Sequence, residues 1–111
     1  MLLHKQTNPF YKTKKWKKKR STTLRRDNYE CRNCRRYGKI TQANTVHHIY
    51  PLEDYPQHIL NSNNLISVCE RCHNTFHNRL TNELTREGLK WKERIELSPP
   101  SLKYKKLSLG D

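Results

Sequence analysis

The sequence has few apolar residues and no long apolar run. Only 32% of its 111 residues are hydrophobic, which is low for a globular chain, and 9% are aromatic. No stretch approaches the ~20 consecutive apolar residues that span a membrane, and the start MLLHKQTNPF lacks the pattern of a signal peptide. We therefore expect an intracellular, cytoplasmic protein with no membrane partner. Its length predicts one domain with a small core, and small cores usually need an added constraint such as a bound metal.

Acidic residues are scarce in the first part of the chain. Residues 1–40 hold 14 lysines and arginines against two acids, whereas residues 41–111 hold nine against eight. Such a basic block predicts a polyanionic partner, most simply nucleic acid. A solvated helix face or a flexible basic tail is the alternative, and the block has no clear apolar face that would insert into a membrane. The candidate DNA-binding residues are Lys14, Lys15, Lys17, Lys18, Lys19, Arg20, Arg25 and Arg26.

Hydrophobic patterning and turn signals predict a β–loop–β–α core of the α+β class with flanking helices. Helices are expected from Phe10 to about Arg26, from Glu70 to about Leu80 and from about Asn82 to Leu97, and strands over Thr45–Ile49 and Leu65–Val68. Residues 51–63 read as a loop, because they are polar and contain two prolines. The chain then divides into a basic helical, DNA-binding segment at 1–28, a core at 29–80, a C-terminal helix at 81–97 and a mobile tail at 98–111.

The four cysteines form two CxxC pairs. In an intracellular chain this spacing is typical of a structural zinc site rather than of disulfides, although disulfides or unliganded thiols remain as alternatives. Two thiolates from each pair complete a tetrahedral site, and zinc closure supplies about 10 kcal/mol of folding energy in small domains. A zinc finger with two cysteines and two histidines is excluded, because Pro51, Leu52 and Glu53 occupy the places of its second histidine. The predicted zinc ligands are Cys31, Cys34, Cys69 and Cys72.

Four histidines are then left over, at positions 47, 48, 73 and 77. His73 and His77 lie four apart on the predicted helix and so share one face. Cys72 precedes His73 by about 100° around the helix axis, so the two neighbours can point to different metals. Side chains of His47 and His48 leave opposite sides of a regular strand. This arrangement favours different roles for the two histidines: one would bind a metal and the other would act as an acid or base, since histidine titrates near neutral pH. For His4 and His58 we expect only surface or capping roles.

These residues resemble a known family. The run Val46-His47-His48-Ile49, then Asn64-Leu65, then Cys69-Glu-Arg-Cys72-His73 and His77 is similar to that of HNH endonucleases, and the similarity covers roughly residues 29–80. The basic segment before it, with Phe10-Tyr11, Trp16 and Leu24 to Asp27, resembles small phage-type members, several of which are encoded beside DNA-packaging genes. The resemblance implies a zinc-stabilised ββα-metal core (a His-Me finger), a DNA substrate, and a phage terminase or packaging protein as a further partner.

The resemblance also implies a role for each matched residue. His48 would be the general base that activates water, and Asn64 would brace the loop and orient that base, with Asn63 as the neighbouring alternative. One catalytic divalent metal (Mg²⁺, Mn²⁺, Ni²⁺ or Zn²⁺) would be bound by His47, His73 and His77. Many members have an acid at the position of His47, so a strict Mg²⁺ requirement is not expected here.

One ββα unit has one active site and would make a nick in DNA. The rival interpretations are a non-catalytic zinc module that binds nucleic acid, and an adaptor that contacts a packaging enzyme through the C-terminal helix near Trp91.

Overall fold

The structure is a computed structural model that describes residues 8–95. His4, the end of the predicted C-terminal helix and the tail predicted at 98–111 lie outside these residues. Helices and strands follow in the order α1 (Lys14–Arg26), α2 (Arg32–Arg36), β1 (Thr45–His48), β2 (Leu65–Val68), α3 (Glu70–Thr75) and α4 (Arg86–Arg94). Short 3-10 turns lie at Pro9–Lys12, Pro56–His58 and Ser62–Asn64. The α+β class and the ββα order of β1, β2 and α3 are confirmed.

The two strands form an antiparallel hairpin with a long connection. Thr45 pairs with Val68 and His48 pairs with Leu65, so the histidine pair lies beside the start of β2. All four residues of β2 are buried, because α1 and α2 pack against this strand while α3 packs against β1. The hairpin is thereby covered on both sides, and its side chains form the centre of the core.

Helix α1 is attached to the hairpin through its few non-basic residues. Thr13 caps its start by accepting a hydrogen bond from the Trp16 amide at 3.2 Å, and Trp16 and Leu24 are buried against the core. At its end, the buried Asp27 carboxylate accepts hydrogen bonds from Arg26 and from the Ser67 amide of β2. Burial by itself would raise the pKa of Asp27, but the bonds from Arg26 and Ser67 hold it below its usual value.

Three predicted helices begin or end elsewhere than expected. The helix predicted from Phe10 is interrupted at Thr13, whose backbone is extended. The helix predicted to reach Leu80 ends at Thr75, because Asn78 forms a turn in which its side-chain oxygen accepts the Leu80 and Thr81 amides. Asn82 completes that turn in a left-handed conformation, with φ of 66°. The next helix therefore starts at Arg86 instead of near residue 82.

Helix α4 closes the domain over the cysteine region. Trp91 is 1% exposed, and its indole nitrogen donates to Asn33 Oδ1 of α2 at 2.9 Å. Gly88 lies against the backbone of Phe76, where a Cβ atom would come within 2.6 Å of the Phe76 carbonyl oxygen. Within residues 8–95, none of the helices combines the length and the apolar character that a membrane span requires.

Candidate active site and metal centres

The four predicted zinc ligands come together beneath the hairpin. Their sulfur atoms all lie within 4.8 Å of one another, and none of the four cysteines is in a disulfide. Each cysteine pair lies at the N-terminal end of a short helix, because Cys31 precedes α2 and Cys69 precedes α3. Sulfurs at this separation fit around one tetrahedral ion. The cluster is therefore suited to a metal that joins residues 31–34 to residues 69–72.

The surroundings of the cysteines also favour a cation. Burial raises the pKa of Cys31 and raises that of Cys72 to about 12, whereas a contact with the Thr41 side chain lowers the pKa of Cys34. Burial thus disfavours the thiolate forms of Cys31 and Cys72, and a positive ion between the sulfurs would offset that cost. Asn33 donates to Cys72 Sγ at 3.3 Å, which supports the sulfur as a ligand from outside the cluster.

Three histidines form a second cluster, made by His47 of β1, His73 of α3 and His77. The ring centres of His47 and His73 are 5.3 Å apart, and those of His47 and His77 are 5.5 Å apart. One ring nitrogen from each of the three lies within 4.8 Å of the other two. The shared helical face expected for His73 and His77 is wrong, because α3 ends at Thr75. His77 reaches the cluster instead from the turn after the helix, where it pairs with Leu84.

His47 has the properties of a metal ligand. It is 1% exposed, and within residues 8–95 its Nε2 is a buried nitrogen with no hydrogen-bond partner. Such an atom costs free energy unless something binds it. Burial, and then the neighbouring His73 and His77, hold the pKa of His47 well below its usual value, and burial also lowers that of His73. The rings are thus neutral, which is the form in which histidine binds metal.

His48 points to the opposite side of the strand, as expected from the alternation of side chains. Its ring stacks on Trp16, with centres 5.1 Å apart and planes at 25°. Its Nε2 lies 2.9 Å from the carbonyl oxygen of Ile59. Because a carbonyl can only accept, Nε2 carries the hydrogen and Nδ1 carries the lone pair. Burial lowers the pKa of His48, so this nitrogen is free of a proton at neutral pH.

Asn64 fastens the loop that supports His48. It is fully buried, and its side-chain oxygen accepts the Tyr50 amide at 2.7 Å. Its amide group donates to the carbonyl oxygens of Tyr50 and His58, both at 3.1 Å. The neighbouring Asn63 is exposed and its side chain makes no such contacts. The bracing position is therefore that of Asn64.

One cavity of about 630 Å³ joins the two histidine groups. His47, His73 and His77 line it together with His48. Arg20 and Glu53 lie at the same cavity, which gives it both signs of charge near the histidines. A phosphodiester entering this cavity would meet a set of metal ligands and an unprotonated imidazole at the same time.

The predicted DNA-binding residues of α1 fall into two groups. Three of them contact the protein: Lys19 donates to Ser62 Oγ, Arg20 to the Asn44 carbonyl oxygen, and Arg26 to the carbonyl oxygens of Ser62 and Leu65 as well as to Asp27. The remaining ones are exposed, namely Lys14, Lys15, Lys17, Lys18 and Arg25. The exposed group is free to meet a polyanion, while the first group fixes α1 on the core.

Sequence reasoning missed three residues of the site. Trp16 was named only within the segment that resembles small phage-type members, Asn33 was given no role, and Glu53 was named only as a residue that excludes a zinc finger. Their roles depend on contacts between distant parts of the chain, such as residue 16 with residue 48. The signal for Trp16 in the sequence is that an aromatic residue lies within a basic block.

Comparison with known proteins agrees with this geometry. The family model for HNH endonucleases matches residues 31–79. The fold is also similar to that of the HNH endonuclease of the deep-sea thermophilic bacteriophage GVE2, whose crystal structure contains a manganese ion. The two chains are 34% identical, the TM-score is 0.59, and the match covers 78% of this chain and 83% of that one. The chain belongs to the HNH endonuclease family.

A search of curated protein sequences gave no significant match. Family membership makes this HNH endonuclease a nuclease, and thus a hydrolase of phosphodiester bonds. The resemblance stated from the sequence is thereby confirmed, and a purely non-catalytic zinc module is the weaker interpretation. The division into segments at 28, 80 and 97 stays a prediction.

Proposed function

We propose that this HNH endonuclease hydrolyses DNA in a metal-dependent reaction and makes one nick per event. The observation that carries the proposal is the convergence of two unlike histidine groups on one cavity. His47, His73 and His77 offer ring nitrogens within 4.8 Å of one another, and His48 is held separately on the Trp16 side of the same strand. Ligands and base in one cavity are what metal-assisted hydrolysis needs.

His48 is the general base of this proposal. The hydrogen bond to Ile59 fixes the ring as the tautomer in which Nδ1 accepts a proton. A water molecule in the cavity gives its proton to that nitrogen while its oxygen attacks the phosphorus. Asn64 holds the Tyr50 and His58 backbone in place, and so it fixes the loop that presents the Ile59 carbonyl.

The histidine cluster fits a divalent ion, because the buried Nε2 of His47 has no partner among residues 8–95. Such an ion, when bound, lowers the charge on the phosphate and stabilises the leaving 3′ oxygen. Three imidazoles suit Mn²⁺, Ni²⁺, Zn²⁺ or Co²⁺ better than they suit Mg²⁺. The related phage endonuclease contains manganese, and we propose Mn²⁺ as the first ion to test.

For the cysteine cluster we propose structural zinc. A complete set of four thiolates leaves no open position for substrate, which is the pattern of a structural site. The exposed basic residues of α1 would hold the DNA backbone without reading its sequence. One histidine cluster with one base supports cleavage of a single strand at a time. A terminase or packaging protein as partner, and the cytoplasm as location, stay expectations from the resemblance.

The first test is plasmid cleavage by His48→Ala. Wild-type protein with Mn²⁺, Mg²⁺ or Ni²⁺ should convert supercoiled DNA to nicked circles, and the variant should be slower by about 10²–10⁴-fold, because it lacks the proton acceptor. His58→Ala is the matched control, since its ring lies outside the histidine cluster and hydrogen-bonds Asn61. Equal rates for His48→Ala and His58→Ala would refute the assignment of the base.

The separation of the two metal sites has its own test. His73→Ala should lose Mn²⁺-dependent cleavage and weaken Mn²⁺ binding measured by calorimetry. It should still contain one zinc per chain by elemental analysis, because its cysteines are unchanged. Loss of the zinc from His73→Ala would show that the two ligand sets do not form independent sites.

A further inference from the structure

A second pocket lies away from the active-site cavity, and arginines dominate its charge. It has a volume of about 350 Å³, and the termini of α1, α2 and α4 meet the start of β2 there. Three arginines line it, Arg26, Arg32 and Arg94, and no acidic residue does. None of its lining residues belongs to the active-site cavity. The pocket is thus a separate, positively charged concavity.

Asp27 pairs with Arg26 and Arg32, and Trp91 holds Arg32, Arg94 and the neighbouring Arg36 through its ring. The guanidinium groups of Arg32, Arg36 and Arg94 lie 5.6, 5.6 and 5.2 Å from the centre of the Trp91 ring. A cation–π contact uses the face of the guanidinium and leaves its N–H groups available, whereas an ion pair consumes them. Trp91 is itself fixed by burial and by Asn33. The donors around the pocket are therefore positioned in advance.

The charge of this group is not balanced by the protein. Among residues 8–95, Asp27 is the acid that pairs with this group: its carboxylate lies 2.9 Å from Arg26 and 3.8 Å from Arg32. Within residues 8–95, Arg94 makes no hydrogen bond or ion pair, and stacking on Trp91 is its contact. An excess of fixed guanidinium groups favours an anion from outside the chain.

Helix α1 connects this pocket to the active site. Arg20 lies at the active-site cavity, and Arg26 lines the second pocket six residues later. At about 1.5 Å per residue the two positions are roughly 9 Å apart along the helix. Next to Arg20, Lys19 donates a hydrogen bond to the side chain of Ser62, which also lines the arginine pocket. A nucleic-acid strand leaving the cavity along α1 would meet the pocket within a few nucleotides.

We propose that the pocket formed by Arg26, Arg32 and Arg94 binds a backbone phosphate of the DNA, beside the segment that is being cut. This inference rests on the proposed function, since it takes DNA as the substrate. Arginine is suited to this task because its planar fork matches a phosphate with two parallel hydrogen bonds. Arg26 forms the fixed floor of the pocket, while Arg32 and Arg94 supply the donors.

The test measures DNA binding without cleavage. In a His48→Ala background, the affinity for a labelled duplex is followed by anisotropy as salt rises from about 50 to 200 mM. Arg94→Gln should weaken binding and reduce the slope of log K against log salt by about 0.9, the value for one lost phosphate contact. Arg32→Gln combined with Arg94→Gln should weaken it further. The control is Arg86→Gln, which removes the same charge from an exposed position at the start of α4.

A second measurement separates this inference from the proposed function. With His48 intact, Arg94→Gln should hydrolyse a small activated phosphodiester as fast as wild type, because such a substrate fills the cavity alone. Zinc content and melting temperature verify the fold of each variant. Wild-type protein that cleaves no DNA would refute the proposed function. Cleavage by wild type, together with identical salt slopes for Arg94→Gln and Arg86→Gln, would refute only the phosphate pocket. Binding of polyglutamate that Arg94→Gln abolishes, with DNA binding unchanged, would overturn it in favour of an acidic protein partner.

Discussion

Trp16 of the basic helix α1 stacks on His48 of β1. Their rings are nearly parallel, and Trp16 is 5% exposed. The Ile59 carbonyl holds one edge of the imidazole, while the indole covers its face. Two such contacts leave the ring little freedom to rotate. A base held in one orientation needs no rearrangement before it accepts a proton, so Trp16 is a positioning residue for His48.

Substitution of Trp16 should therefore affect turnover more than substrate binding. We expect Trp16→Ala to lower kcat by about 10–100-fold with little change in KM, because a misplaced base slows chemistry. Trp16→Phe keeps a flat ring and should recover most of the rate. Steady-state cleavage of a labelled duplex gives both constants.

Leu24→Ala is the matched control for Trp16. Leu24 is a buried residue of the same helix, and its truncation should lower the melting temperature without lowering kcat. If Leu24→Ala and Trp16→Ala reduce kcat equally, the effect of Trp16 is one of general stability.

At the scale of elements, α3 is the part that both metal sites share. Cys72 and His73 are neighbours on this helix, and the structure directs one to the cysteine cluster and the other to the histidine cluster. The sequence predicted this division correctly from the rotation of about 100° between neighbours. It did not predict the end of the helix at Thr75, because the turn at Asn78 depends on side-chain hydrogen bonds to the backbone. His77 was thus placed in the right cluster for the wrong geometric reason.

The contact between α4 and the end of α3 can be tested at Gly88. Glycine in a helix is less stable than alanine by about 1 kcal/mol, so propensity alone predicts that Gly88→Ala stabilises the protein. The structure predicts the opposite sign, because the new Cβ would lie 2.6 Å from the Phe76 carbonyl oxygen. Phe76 packs against His47, with ring centres 4.7 Å apart, so cleavage should also slow.

Thermal unfolding and cleavage assays measure both effects of Gly88→Ala. Glu93→Ala is the control, since this exposed residue lies on the same helix and should change neither quantity appreciably. A higher melting temperature for Gly88→Ala would contradict the close approach of α4 to Phe76.

For the whole molecule, metal content should decide folding. The core is small, and the cysteine cluster joins two short helices that would be unstable alone. Zinc binding contributes about 10 kcal/mol in comparable small domains, which is as large as the whole stability of a typical domain. Cys69→Ser should therefore yield a largely unfolded protein by circular dichroism.

The histidine site should behave differently when metal is removed. A mild chelator that strips Mn²⁺ should stop cleavage and leave the circular dichroism spectrum unchanged. Readdition of Mn²⁺ should restore activity at once. A loss of secondary structure at that step would mean that the histidine cluster also holds the fold together.

The sequence predicts groupings of residues that are close along the chain better than it predicts contacts between distant segments. The ligands of both clusters were identified because chemistry restricts them to cysteine and histidine at set spacings, such as Cys31 with Cys34. The stacking of Trp16 on His48 and the arginines around Trp91 were not predicted. Each of these joins segments that are distant along the chain, and the residue types involved are common on surfaces. Arg26 shows the same limit, since its position in a basic block gave no sign that it binds Asp27.

The short length of α3 sets an order in which the protein acquires its metals. Six residues are too few to stay helical by themselves, so His73 has a defined place only after the cysteines have taken up their ion. If both clusters bind metal as proposed, filling of the histidine site would thus depend on filling of the cysteine site. In a cell with too little thiol-binding metal, this nuclease would then be inactive at any concentration of manganese or magnesium.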